Sequence, residues 1–199
     1  FTLETMADDT LKLLEILKIT KAHFIASSMG GAILQIIASK KPSIVDKSVL
    51  ISPFYNLQPH IKFVIKLCIK LHENKVPFDL IFKTIVPWIF GPNNLNQVKN
   101  IDEKSIGINE ALESNNFNNS ISQLEAMQGF DSSNFIVKNG SQFLVIAGGK
   151  DLTYPSGTQL NIHKQINHAR VKIIADAGHM VYLENFDEVT SLIKNHIKN

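Results

Sequence analysis

The sequence predicts an α/β fold in which a doubly wound, mostly parallel sheet is interrupted by a helical insertion. Three observations predict it. Residues 1–53 alternate helix, strand, helix, strand, which needs crossovers between parallel strands. Residues 54–133 then carry helical periodicity with no strand signal, and the alternation resumes over residues 134–199. Core segments 1–53 and 134–199 therefore flank a lid at 54–133.

The elements follow in order. Leu3, Met6, Leu11, Leu13, Leu14 and Leu17 keep the i, i+3, i+4 rhythm of an amphipathic helix over 1–17. A strand is expected at 22–26, a tight turn, then a helix over 30–39 stopped near Pro42. The next strand, 48–52, ends at Pro53. Helices are expected at 61–71, 78–90, 103–113 and 120–127, punctuated by Pro77, Pro87, Gly91-Pro92 and Asn-rich stretches. The fully apolar run Phe143-Leu144-Val145-Ile146 marks a buried strand over 142–147. A helix over 155–166, a strand over 170–175 and a closing helix over 185–197 complete the chain.

Composition limits the function classes. The 199 residues are 44% hydrophobic and 19% charged with a net charge of +2, ordinary for a globular protein with one sizeable core. Basic residues form no dense stripe with interleaved aromatics, so nucleic acid is not an expected partner. Arg170 is the one arginine among twenty basic residues. A single cysteine, Cys68, excludes an intrachain disulfide and fits a reducing, cytoplasmic setting. The charge-free run from Ala22 to Ser39 is long enough to raise a membrane span. Its Gly-Gly pair, three serines, His23 and Gln35 fit a buried strand and helix better. No integral membrane segment is expected, and oligomeric state is not legible.

Chemistry concentrates at His23–Leu34, a strand, a sharp turn and a helix start. The residues two before and two after the apex of such a turn approach each other and must be small. Ser28 has Ala26 and Gly30 there, whereas Ser27 would have Ile25 and Met29, so Ser28 is the nucleophile candidate. A serine needs a base held by a third group. His179 and Asp151 each follow a strand closely, which puts both on the sheet edge that carries Ser28. Asp176 competes as the acid but lies only three residues from His179. The other histidines, His23, His60, His72, His163, His168 and His196, lack a strand-end context and show no zinc-ligand spacing. No metal or organic cofactor is expected. Cys68 reads as packing, and Glu184 as a charge favouring the start of the last helix. Phe63, Trp88, Phe90, Met127 and Met180 are expected mostly to form the lid's own core, with a minority, not identifiable from the sequence, lining an apolar acyl pocket.

The order Ser28, Asp151, His179, with Ala26-Ser27-Ser28-Met29-Gly30-Gly31, Ala147-Gly148-Gly149-Lys150-Asp151 and Ala177-Gly178-His179, resembles the α/β-hydrolase superfamily. The resemblance is to its lidded serine esterase, lactonase and carbon–carbon hydrolase branch, and Gln123–Asp131 is similar to that branch's return from lid to core. It implies that Ser28 attacks an acyl carbonyl, His179 serves as base and then acid, Asp151 fixes the imidazole, and the Met29 N–H donates to the oxyanion. The expected substrate is a small apolar or amphipathic ester, lactone or similar acyl compound. Carbon–carbon bond hydrolysis with the same triad and a hydrolase-like binding protein are the alternatives. Ala26 stands where glycine is usual and Ser27 where histidine or asparagine is common. The family also has strands ahead of the helix at 1–17, one followed by a loop giving a second oxyanion donor. This stretch is therefore expected to belong to a longer enzyme or to have lost those strands. Taken alone it should be poorly soluble and weakly active, with an open edge beside the elbow strand.

Overall fold

A computed structural model describes residues 1–97, 117–135, 137–155 and 166–198. The expected helices at 103–113 and 155–166, and His163, lie outside the described residues, apart from the ends Pro155 and Ile166. The described elements are α1 (Leu3–Ile16), β1 (Ala22–Ser27), α2 (Met29–Lys40), β2 (Val45–Ile51), α3 (Pro59–Glu73), α4 (Phe78–Ile89), α5 (Pro92–Gln97), α6 (Phe117–Met127), β3 (Phe143–Gly148), β4 (Arg170–Ile174), α7 (Val181–Glu184) and α8 (Phe186–Lys198).

Four strands form one parallel sheet in the order β1-β2-β3-β4. Alternation along the strands divides the core between its two faces. Leu50, Phe143 and Val145 pack with Leu3 and Ala7 of α1 and Leu34, Ile36 and Ile37 of α2. Val49, Ile51, Leu144 and Ile146 pack instead with Val181 and Val189, against Leu192 and Ile193 of α8. Helices thus cover both faces, which is why β3 is apolar throughout and β2 is apolar over Val49–Ile51. Strand β1 lies at the edge of this sheet, and its Ile25 is 55% exposed.

Local chemistry sets the helix ends. Thr2 caps α1, its hydroxyl oxygen accepting from the Thr5 N–H at 3.1 Å. Lys40 at the end of α2 pairs with Asp8 of α1 across the exposed rim. Pro87 lies inside α4, which ends at Ile89, close to the helix expected over 78–90. A proline so near the C-terminus forfeits one intrahelical bond close to the helix end. Pro92 occupies the first position of α5, where a missing N–H costs nothing.

Between β2 and β3 the described chain is helical, α3 to α6, and an isolated antiparallel bridge between Asn56 and Asp131 joins the two ends of this insertion. Phe54 and Phe130 meet edge to face at 5.3 Å beside that bridge.

The opposite end of the sheet carries a buried histidine. His196 of α8 is 2% exposed, with Nε2 2.9 Å from the Gln142 carbonyl oxygen and Nδ1 against the Arg170 guanidinium. The carbonyl can only accept and the guanidinium can only donate, so the imidazole is neutral with its proton on Nε2. Burial holds its pKa below the usual 6.5, and the charges of Arg170 and Lys47 act in the same direction. A base depressed in the folded state contributes stability that is full above pH 6.5 and is lost as pH falls below it. Thermal unfolding should therefore show wild type losing stability below that pH, by at most about 1.4 kcal/mol per pH unit for this one proton. His196→Gln, which cannot titrate, should flatten that part of the profile; parallel profiles for the two proteins would refute the assignment.

Candidate active site

The three candidate residues Ser28, Asp151 and His179 follow the C-terminal ends of β1, β3 and β4. Ser27 pairs with Ile51, Ile51 with Ile146, and Gly148 with Ile174, so the loops after β1, β2, β3 and β4 leave the sheet along one edge.

Ser28 makes the whole turn from β1 to α2. Its N–H still donates to the Ile51 carbonyl at 2.9 Å, continuing the ladder, while its own carbonyl accepts from Gly31 N–H at 2.9 Å, opening the helix. Both bonds are made with Ser28 at φ 49° and ψ −116°, a strained conformation for a residue with a side chain. The strain stands the hydroxyl up from the edge. As the first residue of α2, Met29 has no acceptor one turn back, so its N–H is one of the helix's orphan donors.

The flanking small residues do approach each other, less tightly than expected. A Cβ added at Gly30 would sit 3.8 Å from the Ala26 Cβ, an ordinary contact. That spacing explains why alanine is accepted at position 26.

Asp151 is 2% exposed. Its Oδ1 accepts from the N–H groups of Thr153 and Tyr154, both at 2.8 Å, which fixes the carboxylate's rotation. Its Oδ2 lies 2.9 Å from Nδ1 of His179. The other ring nitrogen of His179, Nε2, lies 2.9 Å from Ser28 Oγ. A carboxylate only accepts, so Nδ1 carries the proton and Nε2 is left to accept from the serine hydroxyl. Ser28, His179 and Asp151 are brought into one hydrogen-bonded line. Asp176, the competing acid, is exposed and is not the partner of His179 Nδ1.

Glycines allow the acid and base loops to touch. A Cβ on Gly148 would come 2.0 Å from the Gly178 carbonyl oxygen, and one on Gly149 2.4 Å from the Ala175 oxygen. The contact is stitched by Gly149 N–H to Ile174 and Lys150 N–H to Ala177, both 2.8 Å. Gly148→Ala should therefore push the loops apart, lowering Tm and, with it, the alignment of Asp151 with His179. Its cost should be about 1–3 kcal/mol or more. Gly30→Ala should leave Tm and turnover close to wild type. Thermal melts and ester assays of the pair test the contrast, and equal effects would contradict it.

Two residues that hold the histidine were not identified from the sequence. Ser52, at φ 45° after β2 and fully buried, donates its hydroxyl to the His179 carbonyl at 2.7 Å. Glu184, expected to favour the start of the last helix by its charge, ends α7 just before that helix, and its carboxylate accepts from the Gly178 and Gly91 N–H groups. A serine after a strand and an acidic residue five positions after His179 were the only local signals.

Beside Ser28 lies a cavity of about 390 Å³ whose described lining carries no Lys, Arg, Asp or Glu. Met29, Ile65, Cys68, Trp88, Met127 and Met180 are among its walls. Of the five aromatic and methionine residues expected to divide between core and pocket, more line the cavity than the minority expected. Trp88, Met127 and Met180 face the cavity, Phe90 is buried elsewhere, and Phe63 is 72% exposed. Burial raises the pKa of the Cys68 thiol. Among the described residues, no group of three His, Cys, Asp or Glu could hold a metal ion, and no helix is long and apolar enough to cross a membrane.

The family model of the alpha/beta hydrolase fold matches residues 1–186. The RutD protein of Agrobacterium fabrum, which bears the name of a carbamate hydrolase, is 23% identical over 189 residues, covering 93% of this chain and 70% of the relative. Two solved structures resemble the chain along its full length. MGS-M2, an alpha/beta hydrolase from a Medee basin deep-sea metagenome library, matches with a TM-score of 0.87 at 18% identity, over 73% of its own chain. The enol-lactonase of Burkholderia xenovorans LB400 matches at 0.81 and 20%, over 74% of its own. At these identities the structural likeness shows the fold.

Proposed function

The chain belongs to the alpha/beta hydrolase fold family, and on that premise we propose that it hydrolyses a carboxylic ester or lactone through an acyl-serine intermediate. The observation that carries the reading is His179, 2.9 Å from both Ser28 Oγ and Asp151 Oδ2.

The chemistry follows from that arrangement. Nε2 takes the Ser28 proton as Oγ attacks the carbonyl carbon, and the carbonyl π electrons move onto oxygen. Asp151 stabilises the imidazolium and keeps its tautomer. The oxyanion faces the Met29 N–H at the positive end of α2. Collapse expels the alcohol, which takes the proton from Nε2. Water then repeats the sequence, activated by the same nitrogen, and frees Ser28 and the acid. The acyl group fits the apolar cavity, with the insertion at 54–133 acting as its lid. Walls free of charge favour a neutral acyl chain over one ending in a carboxylate, whose desolvation would find no partner there.

A fluorophosphonate probe and a panel of neutral esters, lactones, carbamates and diketones test the proposal. Labelling with ester or lactone turnover is expected. Turnover of diketones alone would favour carbon–carbon hydrolysis, and a protein that neither labels nor turns over would be a binding protein.

A further inference from the structure

The loops that carry Asp151 and His179 are both tied to the end of α4, within the insertion. The carbonyls of Trp88 and Ile89, at the end of α4, accept from the Thr153 hydroxyl and the Met180 N–H, each at 2.9 Å. The next residue, Gly91, is pressed against Gly178: a Cβ on Gly178 would come 2.4 Å from Gly91 N. Between these two glycines lies the Glu184 carboxylate. Its Oε1 accepts the Gly178 N–H at 2.9 Å, and its Oε2 accepts the Gly91 N–H at 2.9 Å and the Asn94 side-chain amide. One negative group thus satisfies three donors that come from two different parts of the chain, the kind of charge-assisted contact that is stronger than a neutral one. Gly178 immediately precedes the histidine.

We infer that Glu184 is a positioning residue that fastens the His179 loop to the α4–α5 junction of the insertion, so that this junction cannot shift without displacing the base from Ser28. The inference rests on the proposed hydrolysis for its kinetic consequence. Its structural part stands on the three contacts alone. The carboxylate touches neither Ser28 nor the cavity, so its loss acts through the imidazole's placement and not through substrate binding.

Glu184→Ala should lower kcat about 10- to 100-fold, the scale of a misplacement near 1 Å, and leave KM within a few-fold. Glu184→Gln keeps one acceptor and the volume, and should recover part of the loss. Asn94→Ala in the Glu184→Ala background should add little, because both changes break the same link. The readout independent of turnover is the His179 Cε1–H signal by NMR. It should be single in wild type and broadened or doubled in Glu184→Ala, with the other histidines unmoved. The inference is overturned if kcat per folded molecule stays within twofold of wild type, if the double variant loses the product of the single losses, or if the His179 signal is unchanged. A wild-type protein that neither turns over esters nor labels would defeat the proposed hydrolysis, and the NMR comparison would still decide the clamp.

Discussion

Replacing Ser28 with alanine should remove ester turnover by about 10⁴ to 10⁶ while leaving the fold intact. The alanine retains the Cβ and therefore the elbow. It also retains both backbone bonds, to Ile51 and from Gly31, that hold φ at 49°. Only the Oγ that faces His179 Nε2 is lost. Tm should stay close to wild type, because one partly buried hydroxyl contributes about 1 kcal/mol net at most. Ser27→Ala is the matched control. Ser27 lies in β1, pairs with Ile51 and lines the cavity, but its hydroxyl is not the partner of Nε2. Its loss should change rates by a few-fold, and a loss comparable to that of Ser28 would move the nucleophile.

Asp151→Asn should cost about 10⁴ in kcat. The asparagine carbonyl can still accept from Thr153 and Tyr154 where Oδ1 does now. The group facing His179 Nδ1 then becomes an NH₂ donor, which selects the imidazole tautomer with its proton on Nε2. That nitrogen can no longer take the serine proton. The geometry survives and the chemistry stops, so melts should be nearly unchanged while turnover collapses. Asp176→Asn should lose no more than a few-fold, since Asp176 is exposed and does not pair with the imidazole. A loss below tenfold in Asp151→Asn would show that another group orients His179.

The sequence made the scaffold legible because its signals are local. Short apolar runs within the four strands, the small residues around Ser28, and glycines ahead of Asp151 and His179 each declare themselves within a few positions. Their order then says that all three side chains share a sheet edge. The residues that hold the base are another matter. Ser52 and His179 are joined across 127 positions and Gly91 and Glu184 across 93, and no periodicity within a strand or helix encodes such pairs. The cavity walls were missed for the same reason. Which face of α3, α4 or α6 turns inward depends on how the insertion folds back on β2 and β3, as the contrast of Trp88 with exposed Phe63 shows.

We propose Ser28 as the activated nucleophile of this edge, and mass spectrometry of the protein after reaction with a fluorophosphonate tests it most directly. A single covalent adduct is expected on Ser28, lost in His179→Ala as well as in Ser28→Ala. An adduct on Ser27 or Ser52, or no adduct on a folded protein that hydrolyses esters, would contradict it.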